Sequence, residues 1–471
     1  MLACAAAVAL PEARAHVGLV LVLTTTLAYD YVNAPYEVDN GGTLEAWATA
    51  ILLAAAGDVR AGLPWLKLGF ASIYLAAAVA KLNVDYFDWR RSANTAFIVQ
   101  FAADPPFLGA RFAVSDAVMG DAAWRAFLTL ALVALEVVEF AIPVLIYASP
   151  RVGVAVDWTF HLIVGMKAYD FSSIGMAILP LMLPLDALAP SFAWMTTAAP
   201  ARCLTLAAMA MLALVYAPAT PGRTAMHNGG REKLEIHGAW LAWAVLMGAG
   251  LLTQMQASGE GPAVLGPPTT APAALAAAAC GALMLTCAAP YLGLPRTSST
   301  FTMFSNLVVE GGRGNHLLYR STWAPFGHLR DLVTVTATDL EAVRFFVRRS
   351  GPPEEMRSMR GLIARHGIET AILGNSKMGG GGTDGGTAAN TVFPFRVPYL
   401  QLRQLVAEAR ERDFFVEYTR ARSGAAAERF ELRDGVVVRG DARLRERLPF
   451  IVRKVVFCRA ITMGFEGVCY V

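Results

Sequence analysis

A stretch of roughly 20 mostly apolar residues is long enough to cross a lipid bilayer, and this chain is built from such stretches up to about residue 294. Val17–Ala34, Leu63–Asn83, Phe127–Ala148, Arg202–Ala219, Ile236–Gln256 and Ala271–Leu294 each supply one window. Val152–Leu188 is too long for a single pass and reads as two helices, or one broken helix, around Lys167-Ala-Tyr-Asp170. Leu44–Ala56 is apolar but short, which suits a re-entrant or interfacial segment. The windows predict about eight membrane helices. Hydrophobic residues make up 55% of the chain and charged ones 16%, where a soluble domain carries about a quarter charged, and most of the charge lies after Pro295. The expected fold class is an α-helical polytopic membrane domain over 1–294, a membrane-exit linker over 295–330 and a small α/β soluble domain over 331–471.

The basic loops give an orientation. Arg223, Arg231 and Lys233 precede the window at Ile236, the loop Ala257–Thr270 holds no Lys or Arg, and Arg296, Arg313 and Arg320 follow the last window. The positive-inside rule then puts both flanks of this hairpin, and the tail behind it, in the cytoplasm. Val84–Trp124 mixes charges, Pro105-Pro106 and aromatics, as a surface loop or interfacial helix does. In the tail, Leu332–Ala337, Thr370–Leu373 and Phe414–Tyr418 read as strands. Asp339–Arg349 and Tyr399–Arg412 read as helices, and Arg429–Arg439 as a hairpin turning at Asp434-Gly435. Gly379–Gly386 lacks the Lys-Ser/Thr ending of a phosphate-binding loop. A net charge of +3 gives no reason to expect nucleic acid. The six cysteines show neither CxxC nor zinc-finger spacing, and no metal is expected.

Ionisable residues inside apolar runs are costly unless paired or hydrated, which makes them functional candidates. Lys81 lies near the end of the run Ile73–Asn83. It either snorkels to the interface or is buried, where desolvation favours the neutral amine and lets it act as a base. Glu136 and Glu139 are three residues apart and share a helix face. Two carboxylates there call for a cation or a proton, which Lys81 or His161 could supply, or they form a structural polar seam between helices. His161, in Asp157-Trp-Thr-Phe-His-Leu-Ile, is either a packed hydrogen-bonding residue or a proton carrier. Thr300–His316 has the small and polar residues of a close-packed loop, with Asn315 and His316 as possible site contributors or as parts of a capped linker.

The run Tyr74-Leu-Ala-Ala-Ala-Val-Ala-Lys81-Leu-Asn-Val-Asp-Tyr-Phe resembles the helix-ending motif of the vitamin K-dependent gamma-glutamyl carboxylase family, whose membrane part is called the horizontally transferred transmembrane (HTTM) domain. That motif has an aromatic residue, a small-residue stretch, Lys-Leu-Asn/Asp and another aromatic. An acidic apolar helix, Glu136–Pro150, then Phe160-His161, then Phe171-Ser-Ser-Ile-Gly-Met176 follow in the family's order. The resemblance covers roughly residues 15–190, and more loosely the chain to 294. It implies a membrane enzyme in which Lys81 is the base that deprotonates vitamin K hydroquinone or another quinol. Oxygen turns the quinol into a strong base, a substrate glutamate loses its γ-proton, and the carbanion takes up carbon dioxide. The chain departs from the family in having fewer helices before the lysine motif, a longer Phe-His to Phe-Ser spacing and no large β-rich substrate domain.

Three functions follow as expectations. The first is a carboxylase-like lyase and quinone epoxidase with Lys81, His161, Glu136 and Glu139 as its site. The second is a non-catalytic lipid-binding or scaffold protein of the same fold. The third is a transporter with a Glu136–Glu139–His161 relay, for which no paired half-length segments argue. The expected partners are the lipid bilayer and a lipophilic small molecule; the protein or peptide substrate is left open.

Overall fold

The computed structural model of the chain describes residues 59–92, 94–95, 98, 121–165, 169–183, 270–294, 327–340, 343, 395–420, 427–449, 452 and 461–462, and parts of 43–51, 241–256 and 300–319. The helices are α1 (Val59–Lys81), α2 (Val84–Phe87), α3 (Ala122–Ala148), α4 (Pro150–Val164), α5 (Tyr169–Ile178) and α6 (Ala271–Ala288), and then α7 (Tyr399–Glu408) in the tail. The strands are β1 (Leu332–Thr338), β2 (Phe395–Pro398), β3 (Phe414–Arg420), β4 (Glu428–Arg433), β5 (Val436–Arg439) and β6 (Ile461–Thr462). The chain forms two compact units, one of residues 1–75, 105–111 and 137–285, the other of 76–104, 112–136 and 286–471. The division runs through α1, α3 and α6, so each of them contributes residues to both units.

Among the described residues three helices, α1, α3 and α6, are long and apolar enough to cross a membrane. Two extend further toward the N-terminus than their windows, to Val59 and Ala122. The window over Val152–Leu188 does break in two: α4 stops at Val164, where Gly165 N–H turns back to His161 O at 2.8 Å, and α5 starts at Tyr169. Only Ser149 separates α3 from α4, and Pro150 opens the new helix at the position where its missing N–H costs nothing. Windows Val17–Ala34 and Arg202–Ala219, the strand Thr370–Leu373, the loop Gly379–Gly386 and nearly all of the helix Asp339–Arg349 lie outside the described residues.

In the first unit Trp158 of α4 donates Nε1–H to Ala244 O at 3.0 Å, and Gln254 donates to Pro180 O at 2.9 Å. These bonds tie α4 and the turn after α5 to the helical residues Ala244 and Gln254.

The second unit holds a six-stranded sheet, ordered β5-β4-β3-β1-β2-β6, with every neighbour antiparallel. The strand expectations at Leu332 and Phe414 and the hairpin at Asp434-Gly435 are met. Alternation builds the core: Phe414, Val416 and Tyr418 of β3 point to the buried face, where Val333, Val335, Val397, Phe430 and Leu432 join them. Helix α7 covers that face with Leu402, Leu405 and Val406. Arg445 donates to Val406 O at 2.8 Å and Ala409 O at 2.9 Å, which satisfies carbonyls that the end of α7 leaves open.

Candidate functional site

The motif residues singled out in the sequence fall into two buried clusters, one in each unit.

In the first unit, Tyr74 of α1 reaches α4. Its hydroxyl donates to Asp157 Oδ1 at 2.5 Å and lies 2.7 Å from His161 Nε2. Asp157 and His161 are one turn apart on α4, so both side chains leave the same face, with Nε2 3.5 Å from Oδ1. Tyr74 is 3% exposed, and Asp157 and His161 are fully buried. The walls are aromatic: Phe70 and Phe160 stand edge-on to Tyr74, and Phe171 of α5 tilts on the His161 ring with centroids 5.7 Å apart. Beneath the imidazole lies Gly175, where a Cβ would come within 2.3 Å of Nε2. A larger residue there would evict the ring. Ser172 sits one turn earlier on the same face of α5 and is also fully buried. Glu139 of α3 is buried within electrostatic reach of Tyr74.

Three atoms of this cluster have no hydrogen-bond partner among the described residues: Asp157 Oδ2, His161 Nδ1 and Ser172 Oγ. Buried polar atoms are nearly always satisfied, and each one left over calls for an explanation.

The second cluster starts at Lys81, which is 2% exposed at the end of α1. The lysine is therefore buried rather than snorkelling. Asn83 follows it and serves two helices. Its Nδ2 donates to Ala80 O at 2.9 Å, closing the end of α1, and its Oδ1 accepts from Asp85 N at 3.1 Å and Tyr86 N at 2.8 Å, capping α2. The same Nδ2 also donates to Ser305 O. The segment after the last helix closes on this turn. Asn83 and His316 form an isolated antiparallel bridge, and Leu317 N donates to Leu82 O at 2.8 Å. Asn315 donates to Asp85 Oδ2 at 2.6 Å and accepts from Val308 N at 2.8 Å. Arg91 pairs with the other oxygen of Asp85. His316 Nε2 donates to Val79 O at 2.8 Å, while Nδ1 accepts from Leu318 N and Tyr319 N at 3.1 and 3.0 Å. Both ring nitrogens are thus used in holding the chain. The phenol ring of Tyr291 stands edge-on to His316, with centroids 5.7 Å apart.

Of the expected site residues, Lys81 and Glu136 belong to the second unit, and Glu139 and His161 to the first; all four are buried. Sequence reasoning missed Asp157. Its signal was present, since Asp157 and His161 are two polar groups at i, i+4 in one apolar run. Tyr74 had been read only as the aromatic residue opening a motif. The side chains of Lys167 and Asp170 lie outside the described residues.

Compared with known proteins, the chain matches no family model, no curated protein and no solved structure.

Proposed function

We propose that this chain is a multi-pass membrane enzyme of the vitamin K-dependent carboxylase type, acting as a quinol-dependent carboxylase and epoxidase with Lys81 as its base and its tail in the cytoplasm. One observation carries the reading. Tyr74, Phe160-His161 and Gly175 come from the three sequence segments on which the resemblance rests, and they meet in one buried cluster. Segments that resembled the family by chance would have no reason to pack on one another.

The residues fit a quinol in kind. An aromatic, apolar lining suits a lipophilic ring, and Asp157 Oδ2, His161 Nδ1 and Ser172 Oγ, without a partner among the described residues, suit its polar edge. When bound, such a molecule supplies the oxygen-activating chemistry. The first cluster's part is to bind it away from water; Lys81, in the second unit, carries its amine at a buried helix end, where a base is shielded from competing solvent.

The test is oxygen consumption and epoxide formation by purified protein with reduced vitamin K, wild type against Lys81→Ala. Epoxide from wild type, lost in the variant, supports the reading. No epoxide from a well-folded wild type overturns it.

The second cluster favours a different reading, a lipid-binding or scaffold protein of the same fold. There the asparagine of the Lys-Leu-Asn motif is engaged wholly in structural hydrogen bonds. On that reading Lys81→Ala changes thermal stability and no turnover.

A further inference from the structure

Lys67 is a basic residue inside an apolar helix, and neither reading of the function uses it. It is 4% exposed. Among the described residues its amine makes one hydrogen bond, to Met182 O in the turn after α5, and that bond is long at 3.4 Å. Its other contact is the face of the Tyr147 ring, with Nζ 5.4 Å from the centroid. A protonated lysine amine has three N–H donors. Two of them find no acceptor among the described residues, and no carboxylate there pairs with the charge. The Tyr147 hydroxyl is also buried and without a partner among the described residues. A carbonyl and a ring face ease the burial of a cation but bring no negative charge, and an ion in an apolar interior calls for a counter-ion.

The position of the two groups points to where that counter-ion comes from. Lys67 lies about 9 Å along the helix axis from Ala61, where the apolar window of α1 opens, at 1.5 Å per residue. Tyr147 is the last residue but one of α3. Both therefore stand near helix ends, at the depth where lysines and tyrosines meet lipid headgroups. The far side of α1 is closed. Gly69, about 200° round the helix from Lys67, packs so tightly on α6 that a Cβ would come within 2.9 Å of Leu283 Cδ2. The α3 side is open. Val144, one turn before Tyr147, is 64% exposed, and Val137, on the same face two turns earlier, is 60% exposed. A bare apolar stripe thus runs along α3 to the phenol.

We infer that Lys67 Nζ and the Tyr147 hydroxyl bind the phosphate of an anionic membrane lipid, with an acyl chain of that lipid lying on Val144 and Val137. The ammonium matches the charge of the phosphate. Its two spare N–H groups and the phenol O–H are donors for the phosphate oxygens, and the stripe supplies the apolar contact. Tyr147 is half-buried between the exposed Val144 and Ala148. The flexible lysine stem carries the amine past that ring to the headgroup, as lysines do at a membrane surface. The inference goes beyond both functional readings and rests on them only in placing the helices in a bilayer.

The test is native mass spectrometry of the full chain, released from detergent with phosphatidylglycerol or phosphatidylcholine of the same acyl chains, and with inorganic phosphate as a competitor. Wild type is expected to hold phosphatidylglycerol about tenfold more tightly than phosphatidylcholine, as one charge-assisted contact allows, and inorganic phosphate is expected to displace none of it. Lys67→Met should remove the preference and Lys67→Arg should keep it. Tyr147→Phe should reduce it about threefold, the effect of one neutral hydrogen bond. If Lys67→Met does not fold, Tyr147→Phe reads the same site, because it removes an oxygen that bonds to nothing among the described residues. Arg90→Gln removes an exposed cation and should change nothing. Equal retention of the two lipids by wild type, a preference that survives Lys67→Met, or one that inorganic phosphate abolishes overturns the inference. Retention of neither lipid also overturns it, and counts against a bilayer around α3 as well. No readout depends on turnover, so a failed epoxide assay leaves the site standing.

Discussion

Two buried histidines in this chain are held in opposite ways. His316 has both ring nitrogens bonded to the backbone, Nε2 to Val79 and Nδ1 to Leu318 and Tyr319. His161 has one nitrogen in a side-chain chain of bonds and the other without a partner among the described residues. The first pattern is that of a residue that holds the chain in place. Gly175 is part of the second arrangement, and its replacement is a sharp test. In Gly175→Ala the new Cβ would meet His161 Nε2 at 2.3 Å, so ring or helix must move. The expected loss of stability is about 1–3 kcal/mol, the range for overpacking a filled interior, read as a lower melting temperature in detergent. Adding His161→Ala should restore part of it, because residues in contact are not additive. Tyr74→Phe tests the bonds rather than the space. It keeps the ring but leaves Asp157 without its donor, which is expected to cost about 1–3 kcal/mol or more, and Asp157→Asn in the same chain should recover some of that loss.

At the scale of elements, the second cluster shows how a helix end is fixed by a distant segment. Asn83 caps α2 and closes α1 while the chain after α6 pairs with it. Asn83→Ala is expected to cost about 2 kcal/mol, the upper end for a lost cap, with faster hydrogen exchange in peptides covering 307–317 as well as 82–87. In the sheet, the β4–β5 turn has Asp434 at φ 51° and Gly435 at φ 79°, the pair of positive values that a two-residue hairpin needs. Gly435→Ala is expected to cost about 1–2 kcal/mol, since a Cβ is disfavoured in the left-handed region. These two sites also mark what the sequence could tell. Asp434-Gly435 was legible because turn type depends on a dipeptide, and α1, α3 and the break between α4 and α5 were legible because apolar length and interruption are local. The starts at Val59 and Ala122 were less so: Pro64 and the charged Arg125 interrupt the apolar runs that the structure nonetheless continues as helix. The bridge from Asn83 to His316, and the meeting of Tyr74 with Asp157, join positions far apart in sequence. No periodicity records such pairs.

At the scale of the molecule, the sheet and the long apolar helices each give a test. The sheet's inward Tyr418 and the adjoining Tyr399 have phenols raised above their ordinary range, first by burial and then, for Tyr418, by its hydrogen bond to Glu428. Because the folded values lie above the unfolded one, the stability they represent is intact below about pH 10 and is lost as pH rises toward the folded values. Hydrogen exchange across β3 should therefore accelerate in alkali, and Tyr418→Phe should flatten that rise. Among the three described helices long and apolar enough to cross a membrane, α3 gives the second test. Only 28% of the most apolar window of α3 is buried within the protein, while Phe127, Leu130, Val137 and Val144 stand 49%, 65%, 60% and 64% exposed. In water a single helix with that much bare apolar surface would draw the chain into aggregates; in a bilayer the same residues need no protein cover, because lipid covers them. Val137 lies near the midpoint of α3, so Val137→Arg places a charge at the depth where insertion is most costly, about 2.5–3.5 kcal/mol. Ala122→Arg adds the same charge at the helix end, where a long side chain can reach the headgroups. A translocon insertion assay should show a large drop for the first and little change for the second. Equal effects at the two positions would mean that α3 is not surrounded by lipid, and that its bare face is covered by protein instead.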